Sequence, residues 1–343
     1  MTHSLGELTA GVRLLALVGL AKNTGKTVAL NALLGELRAQ GRHVGVTSVG
    51  RDGEERDAID FRIAKPRIEL AAESLVATTD LLLRTSGLPH ETLERTGVRT
   101  PLGEVLIARL RGPGAVEVAG PSAATDVRAV ADAMLAHGAE QVLIDGAIDR
   151  RAASSPDVSD GLVMSTGAVL DRDIEEVVRL TREAVELVRL PLLEDVPSLS
   201  QDGGGPLDLP PRFALTAEAE QVAALLDEHP NARELSVTGA LPERFLGHLL
   251  HAAQRRGREL VVVVGDPTKV FLDRRGPGWY RAQGVGIRTR RAIDLRAITV
   301  NPVAPQSHRL DSAQLRRLLA GAIEDVPIFD VLNGNEPSMR SGR

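Results

Sequence analysis

The chain has 343 residues, a net charge of −5, and 43% hydrophobic but only 2% aromatic residues. So few rings argue against a base-stacking surface for single strands, and the acidic balance argues against a nucleic-acid or polybasic membrane partner. With no cysteine, disulfides, thiolate metal sites and cysteine nucleophiles are excluded.

Residues 1–13 contain no apolar stretch after a basic start and do not read as a signal peptide. Arg13–Gly19 reads as a buried parallel strand ending at a glycine. Thr27–Gly41 has apolar residues at spacings of three and four and reads as a helix stopped by Gly41. His43–Gly50 is a second strand, followed by the polar loop RDGEERDAID, so a βαβ unit is expected. Glu73–Arg95 reads as mostly helical. Glu104–Leu110 and Gly114–Ala119 read as strands, Asp126–His137 as a helix and Gln141–Ile144 as a buried strand. Gly161–Met164 is expected to be a strand and Asp173–Leu190 a helix. Pro191–Pro211, with five prolines and the consecutive Gly203–Gly205, reads as an exposed linker or insertion. Beyond it, Leu235–Thr238, Leu260–Gly265 and Arg296–Val300 read as strands and Pro242–Arg256 as a helix. The apolar run 260–265 is far too short to cross a bilayer, and a cytoplasmic protein is expected.

The alternation predicts an α/β fold with a mainly parallel, doubly wound sheet. Ligands of such sheets sit at the carboxyl ends of the strands, where the polar motifs of this chain collect. The clearest is Gly19 to Thr27, GLAKNTGKT. A phosphate loop needs a strand that ends abruptly, a turn of inward N–H groups and a helix N-terminus facing the anion. Lysine then adds a mobile charge and the following hydroxyl a Mg²⁺ ligand. Gly19, Lys22, Asn23, Thr24, Gly25, Lys26, Thr27 and Val28 are the candidate nucleotide-binding residues. Only four of the 41 basic residues are lysine (Lys22, Lys26, Lys65 and Lys269), and two of these lie in this stretch. Each marks a place where a compact ammonium is kept in a chain that otherwise uses arginine.

Two acidic motifs follow. Asp52 and Glu54, with Asp57 and Asp60 behind them, come after the second strand and are candidate Mg²⁺ ligands, directly or through water. Asp145, in LIDGAIDRR, ends a buried strand, where a P-loop fold places its Mg²⁺ or water-orienting carboxylate. Thr27, Asp145, Asp52 and Glu54 are thus the candidate metal set, and Lys26, Asp145 and Asp52 the candidate catalytic set. Lys65-Pro66-Arg67, Ser165-Thr166-Gly167 and Asp266-Pro267-Thr268-Lys269 are weaker signals, as readily explained by turns. His248 and His251 have no convincing metal-type spacing. Residues 1–190 read as a nucleotide-binding domain, 191–212 as the linker or insertion, 213–332 as a separate α/β domain or a continuation of the first sheet, and 333–343 as a polar, frayed tail.

Five residues separate Gly19 from Gly25, one more than in the commonest phosphate loop. This spacing resembles the loop of dethiobiotin synthetase, the cobyric-acid-synthase-like amidotransferases and the MinD-like P-loop proteins. In dethiobiotin synthetase-like proteins the second strand carries a substrate lysine followed by proline. Here Thr47-Ser48 stands in that place, which weighs against a synthetase. In the same group a strand-end asparagine near a proline reads the base, a place matched by Asn301-Pro302.

The ordered set GLAKNTGKT, TSVGRDGEERD, KPRI, AGPS, LIDGAIDRRAASSP, STGA, DPTKVF and ITVNPVAP resembles one family across most of the chain. It is the P-loop subunit of the aminomutase reactivase, encoded beside a MutS-like ATPase and an adenosylcobalamin-dependent lysine or ornithine aminomutase. The resemblance implies ATP and Mg²⁺ as ligands, and the MutS-like subunit and the aminomutase as partners. It further implies an ATP-driven, chaperone-like release of damaged cobalamin, with Asp52 and Glu54 as a γ-phosphate switch. An ATP-dependent synthetase or kinase, a nucleotide-binding subunit without turnover, and a homodimer all stay open at this stage.

Overall fold

The computed structural model describes residues 4–50, 67–147, 151–199, 205–305, 308–331 and 334–338. The chain forms two compact units: residues 1–181 with 294–343, and the intervening residues 182–293. The expected segment 213–332 is therefore divided, its first part lying in the second unit and its last part returning to the first sheet.

In the first unit, α1 (Leu5–Leu8) precedes β1 (Leu14–Gly19), α2 (Lys26–Ala39), β2 (Val44–Ser48), β3 (Ile68–Leu70), β4 (Leu75–Thr79) and α3 (Asp80–Ser86). Then come β5 (His90–Thr100), β6 (Gly103–Leu110), β7 (Gly114–Val116), α4 (Ala124–Ala136), β8 (Gln141–Ala147), β9 (Gly161–Gly167) and α5 (Ile174–Val188), whose last turns enter the second unit. The second unit adds β10 (Leu207–Asp208), α6 (Phe213–Thr216), α7 (Ala219–Glu228), β11 (Glu234–Ser236), β12 (Leu241–Pro242) and α8 (Glu243–Arg256). It continues with β13 (Leu260–Val264), β14 (Val270–Phe271), α9 (Pro277–Ala282) and β15 (Val285–Thr289). The chain then returns with β16 (Leu295–Asn301), α10 (Ser312–Ala322), β17 (Ile328–Asp330) and β18 (Gly334–Ser338).

The first unit is built on a ten-stranded sheet in the order β18-β17-β16-β9-β1-β8-β2-β4-β6-β5. Strands from β17 to β4 run parallel, and antiparallel pieces finish each edge. Every residue of β1 and β2 is buried, which requires cover on both faces. On one face, Leu15 and Leu17 of β1 and Val44 and Val46 of β2 pack with Ala29, Leu30, Leu33, Leu34 and Leu37 of α2. On the other, Gly45 faces α4, since an added Cβ there would lie 2.8 Å from the Met134 side chain. The spacing that predicted α2 is the spacing of its buried residues.

The second unit holds a four-stranded, all-parallel sheet, β10-β11-β13-β15, with its own core. Val262 and Val264 of β13 pack with Leu246 and Leu249 of α8 and Val222 and Leu226 of α7.

Two expectations are corrected. Glu73–Arg95 is not mostly helical: β4 and the first part of β5 flank the short α3. Leu75–Thr79 is completely buried beside β2 and β6, and β5 is an edge strand whose polar residues need no apolar alternation. Within the stretch read as a linker or insertion, residues 191–199 are exposed or half-buried and are tied to the second sheet, with Leu192 bridged to Thr289 and Leu193 N–H donating to Thr289 O at 2.8 Å. Within the expected frayed tail, β18 pairs antiparallel with β17, a ladder that depends on backbone groups rather than apolar side chains.

Candidate functional site

β8 and β9 flank β1 on opposite sides, so the carboxyl end of β1 is a place where successive connections diverge. The stretch Gly19–Thr27 starts there. Leu20 N–H donates to Ser165 O of β9 at 2.9 Å, which ties the start of the loop to the neighbouring strand. Asn23 and Gly25 both take left-handed backbone angles, φ 66° and 86°. Thr24 between them is buried, and its hydroxyl donates to Ala21 O at 3.0 Å. Gly25 caps α2, and the backbone N–H groups of Asn23, Thr24 and Gly25 donate to nothing among the described residues. Such turns, followed by a helix start, form the concave N–H surfaces that bind anions.

Both glycines of the motif are fixed by close approach. A Cβ on Gly19 would lie 2.3 Å from Thr24 Oγ1, and one on Gly25 would lie 2.9 Å from Asn301 Cβ. Lys26, Thr27 and Val28 form the half-buried first turn of α2, and Lys22 is exposed.

Asp145 is buried on β8, directly beside β1 in the sheet. Its Oδ1 lies 3.1 Å from Lys26 Nζ. The structure thus joins two residues that the sequence separates by more than a hundred positions. Gly146 follows because an added Cβ there would lie 2.4 Å from Ala153 Cβ, in the 3-10 turn Arg151–Ser154.

Asn301, at the end of β16, packs on the same loop. Its Nδ2 donates to Asn23 O at 3.1 Å and its Oδ1 accepts from Val303 N–H at 3.1 Å. Both ends of the amide are engaged with backbone, so in this structure Asn301 acts as a brace on the loop. The neighbouring Ser165-Thr166-Gly167 supports it: Ala168 N–H donates to Asn301 O at 2.9 Å, and a Cβ on Gly167 would lie 2.0 Å from that oxygen.

On the far side of β8, Ser48 pairs in register with Asp145. Its hydroxyl donates to Gly50 O at 2.9 Å and accepts from Gly120 N–H at 2.9 Å. Gly50 N–H donates to Pro121 O at 2.7 Å. Ser48 and the AGPS segment therefore hold Gly50, the last described residue before the acidic loop. Asp52, Glu54, Asp57, Asp60 and Lys65 lie outside the described residues. Among the described residues, no group of three or more metal-binding side chains occurs. The bracing roles of Asn301, Ser48 and Gly120 were not legible in sequence, because each depends on a partner about seventy or more positions away.

No family model matches the chain, and no curated protein matches it significantly. Among the described residues, no helix is long and apolar enough to cross a membrane.

Proposed function

We propose that the chain is a P-loop nucleotide-binding ATPase of the dethiobiotin synthetase and MinD-like branch, working as the ATPase subunit of an aminomutase reactivase. The observation that carries the nucleotide reading is the Lys26–Asp145 contact at 3.1 Å beside a strand–loop–helix turn whose N–H groups have no partner among the described residues. The N–H groups of residues 23–25 fit a phosphate chain. Lys26 fits its terminal oxygens, exchanging part of its contact with Asp145 for phosphate. Thr27 and Asp145 are the described residues that would hold Mg²⁺, directly or through water. The ion would neutralise charge developing on the transferred phosphoryl group. Asp52 and Glu54 would sense the γ-phosphate.

The reactivase assignment rests on the ordered motifs of the sequence and on the anchored roles of AGPS, STGA and Asn301 around one sheet edge. A second reading, an ATP-dependent synthetase, lacks the strand lysine: Thr47 and Ser48 are buried and bonded to backbone at 3.3 and 2.9 Å.

The test is calorimetric binding of ATP with Mg²⁺, followed by turnover with and without the MutS-like partner and inactivated aminomutase. Lys26→Ala is expected to lower nucleotide affinity at least tenfold and to abolish partner-stimulated hydrolysis. Unchanged affinity in that variant sinks the phosphate-loop reading. Stoichiometric consumption of ATP with a small carboxylic acid or amine would sink the reactivase reading alone.

A further inference from the structure

The second unit has a carboxyl edge of its own, and the sequence places one of the four lysines there. After β11 the chain runs Val237-Thr238-Gly239-Ala240 before β12. Gly239 is left-handed, with φ 96°, and an added Cβ would meet nothing within 4 Å. The backbone N–H groups of Thr238, Gly239 and Ala240 donate to nothing among the described residues. Thr238 and Gly239 are exposed. Three consecutive N–H groups without a partner, in an open turn at the carboxyl end of a parallel strand, make a donor-rich concavity.

Two cations flank this turn by construction. The parallel pairing of Leu241 with Val270 sets Lys269, the residue before Val270, beside Ala240. Lys269 forms no ion pair among the described residues, in a chain that otherwise places its cations against carboxylates repeatedly. From the other side, Arg290 follows β15, and its Nη2 donates to Ser236 Oγ on β11 at 3.1 Å. Because β13 lies between these strands, the Arg290 side chain arches across the end of β13.

The turn carrying Lys269 is held rigidly from below. Asp266 is fully buried, and its Oδ1 accepts from Thr268 N–H at 2.9 Å and from the Thr268 hydroxyl. Among the described residues, Asp266 Oδ2 has no hydrogen-bond partner; it lies 3.6 Å from the Arg291 guanidinium, drawing a third cation to the same edge. Asp266 thus serves as a floor that holds the turn and offsets part of the positive charge. It is sealed from solvent, so its carboxylate makes no direct contact with a ligand at the surface.

We propose that this edge is a second anion site, independent of Gly19–Thr27, that takes a phosphate group. The N–H groups of Thr238, Gly239 and Ala240 and the Thr238 hydroxyl supply hydrogen bonds, and Lys269 and Arg290 supply charge. A free phosphate and the phosphate of a nucleotide share this chemistry.

The test uses the full chain carrying Lys26→Ala, titrated calorimetrically with pyrophosphate at fixed ionic strength. Saturable binding is expected to survive Lys26→Ala and to fall at least tenfold when Lys269→Gln is added. Lys269 has no side-chain partner among the described residues to lose, so that variant should keep its fold. Arg290→Gln, checked for an unchanged melting curve, should weaken binding similarly. Complete loss of binding in Lys26→Ala overturns this site while leaving the first standing. Binding that ignores both Lys269→Gln and Arg290→Gln also overturns it. Pyrophosphate binding equal in the wild-type chain and Lys26→Ala counts instead against the first site. A parallel titration with ADP separates the sources, since equal affinity marks a phosphate site and tighter affinity a nucleotide site.

Discussion

At the residue scale, the loop Gly19–Thr27 depends on a few contacts that leave no freedom for substitution. Gly25 combines a left-handed φ of 86° with an approach that would put a Cβ 2.9 Å from Asn301 Cβ. An L-residue in the left-handed region costs about 1–2 kcal/mol, and the close contact adds to it. Gly25→Ala is therefore expected to lower unfolding free energy by at least about 1 kcal/mol in a urea titration. A wild-type midpoint in that variant would mean the loop can turn otherwise. Asn301 offers a sharper discrimination. Its amide donates to Asn23 O and accepts from Val303 N–H, each at 3.1 Å. A brace and a base reader predict different losses. If Asn301 braces the loop, Asn301→Ala lowers ATP and GTP affinity by the same factor, of roughly 2–10 from about 0.5–1.5 kcal/mol per hydrogen bond. A change in the ATP-to-GTP ratio would assign the side chain to the base instead.

At the element scale, the second sheet is pinned by a buried ion pair that pattern reading did not foresee. Glu234 of β11 and Arg288 of β15 are 1% and 7% exposed and 2.9 Å apart. Arg288 also donates to Pro197 O at 3.1 Å, and Glu234 accepts from Ser198 Oγ at 2.9 Å and Leu199 N–H at 3.0 Å. Pro197–Leu199, in the stretch read as an exposed linker or insertion, are thereby fastened to the sheet. Glu234→Gln leaves Arg288 buried without its counter-charge and should cost about 3–5 kcal/mol. Faster proteolysis within 191–199 is the accompanying readout, and an unchanged cleavage rate would show the anchor to be dispensable. The start of α8 supplies a pH signature. Burial acts to raise the pKa of Glu243, but N–H groups of Asp273, Arg274 and Arg275 and the Tyr280 hydroxyl outweigh it and hold the carboxyl below the usual range. Burial, reinforced by Glu243, keeps the Tyr280 hydroxyl protonated well above its ordinary range. A depressed folded pKa stabilises above the unfolded value and loses that contribution as pH falls through the folded one. The stability gap between wild type and Glu243→Gln should therefore be full at pH 7 and shrink below about pH 4.5, as followed by denaturant midpoints.

These same elements show what a sequence reveals. Gly25-Lys26-Thr27 was legible because strand, loop and helix are contiguous and each carries a local signal. Asp145 was legible because an acid ending the apolar run VLI needs a partner, though which partner required the sheet. β15 was not legible, because Arg288 reads as a surface cation until Glu234 is seen opposite it. Nor was β5, whose run HETLERTGVRT carries helix-compatible charges on an edge strand.

At the scale of the whole molecule, the decisive fact is that residues 182–293 interrupt the first unit, which is completed only when β16 joins β9. The two units have separate cores. The first encloses α2 and the strands beside the loop Gly19–Thr27. The second is closed by Phe245, Leu246 and Leu249 of α8 against β11 and β13. Separate cores predict separate cooperative transitions, and the two units should respond to different perturbations. ATP with Mg²⁺ at about one hundred times its Kd stabilises the body that binds it by about 2.7 kcal/mol. For a body of about 150–250 residues this raises its Tm by roughly 5–10 °C. Calorimetric scans of the full chain should show that shift in the larger transition, with Lys26→Ala abolishing it. Glu234→Gln should lower the smaller transition and leave the nucleotide-dependent one in place. A single transition that both ATP and Glu234→Gln move together would show that the units unfold as one body, and would make the insertion a cooperative part of the first unit's fold.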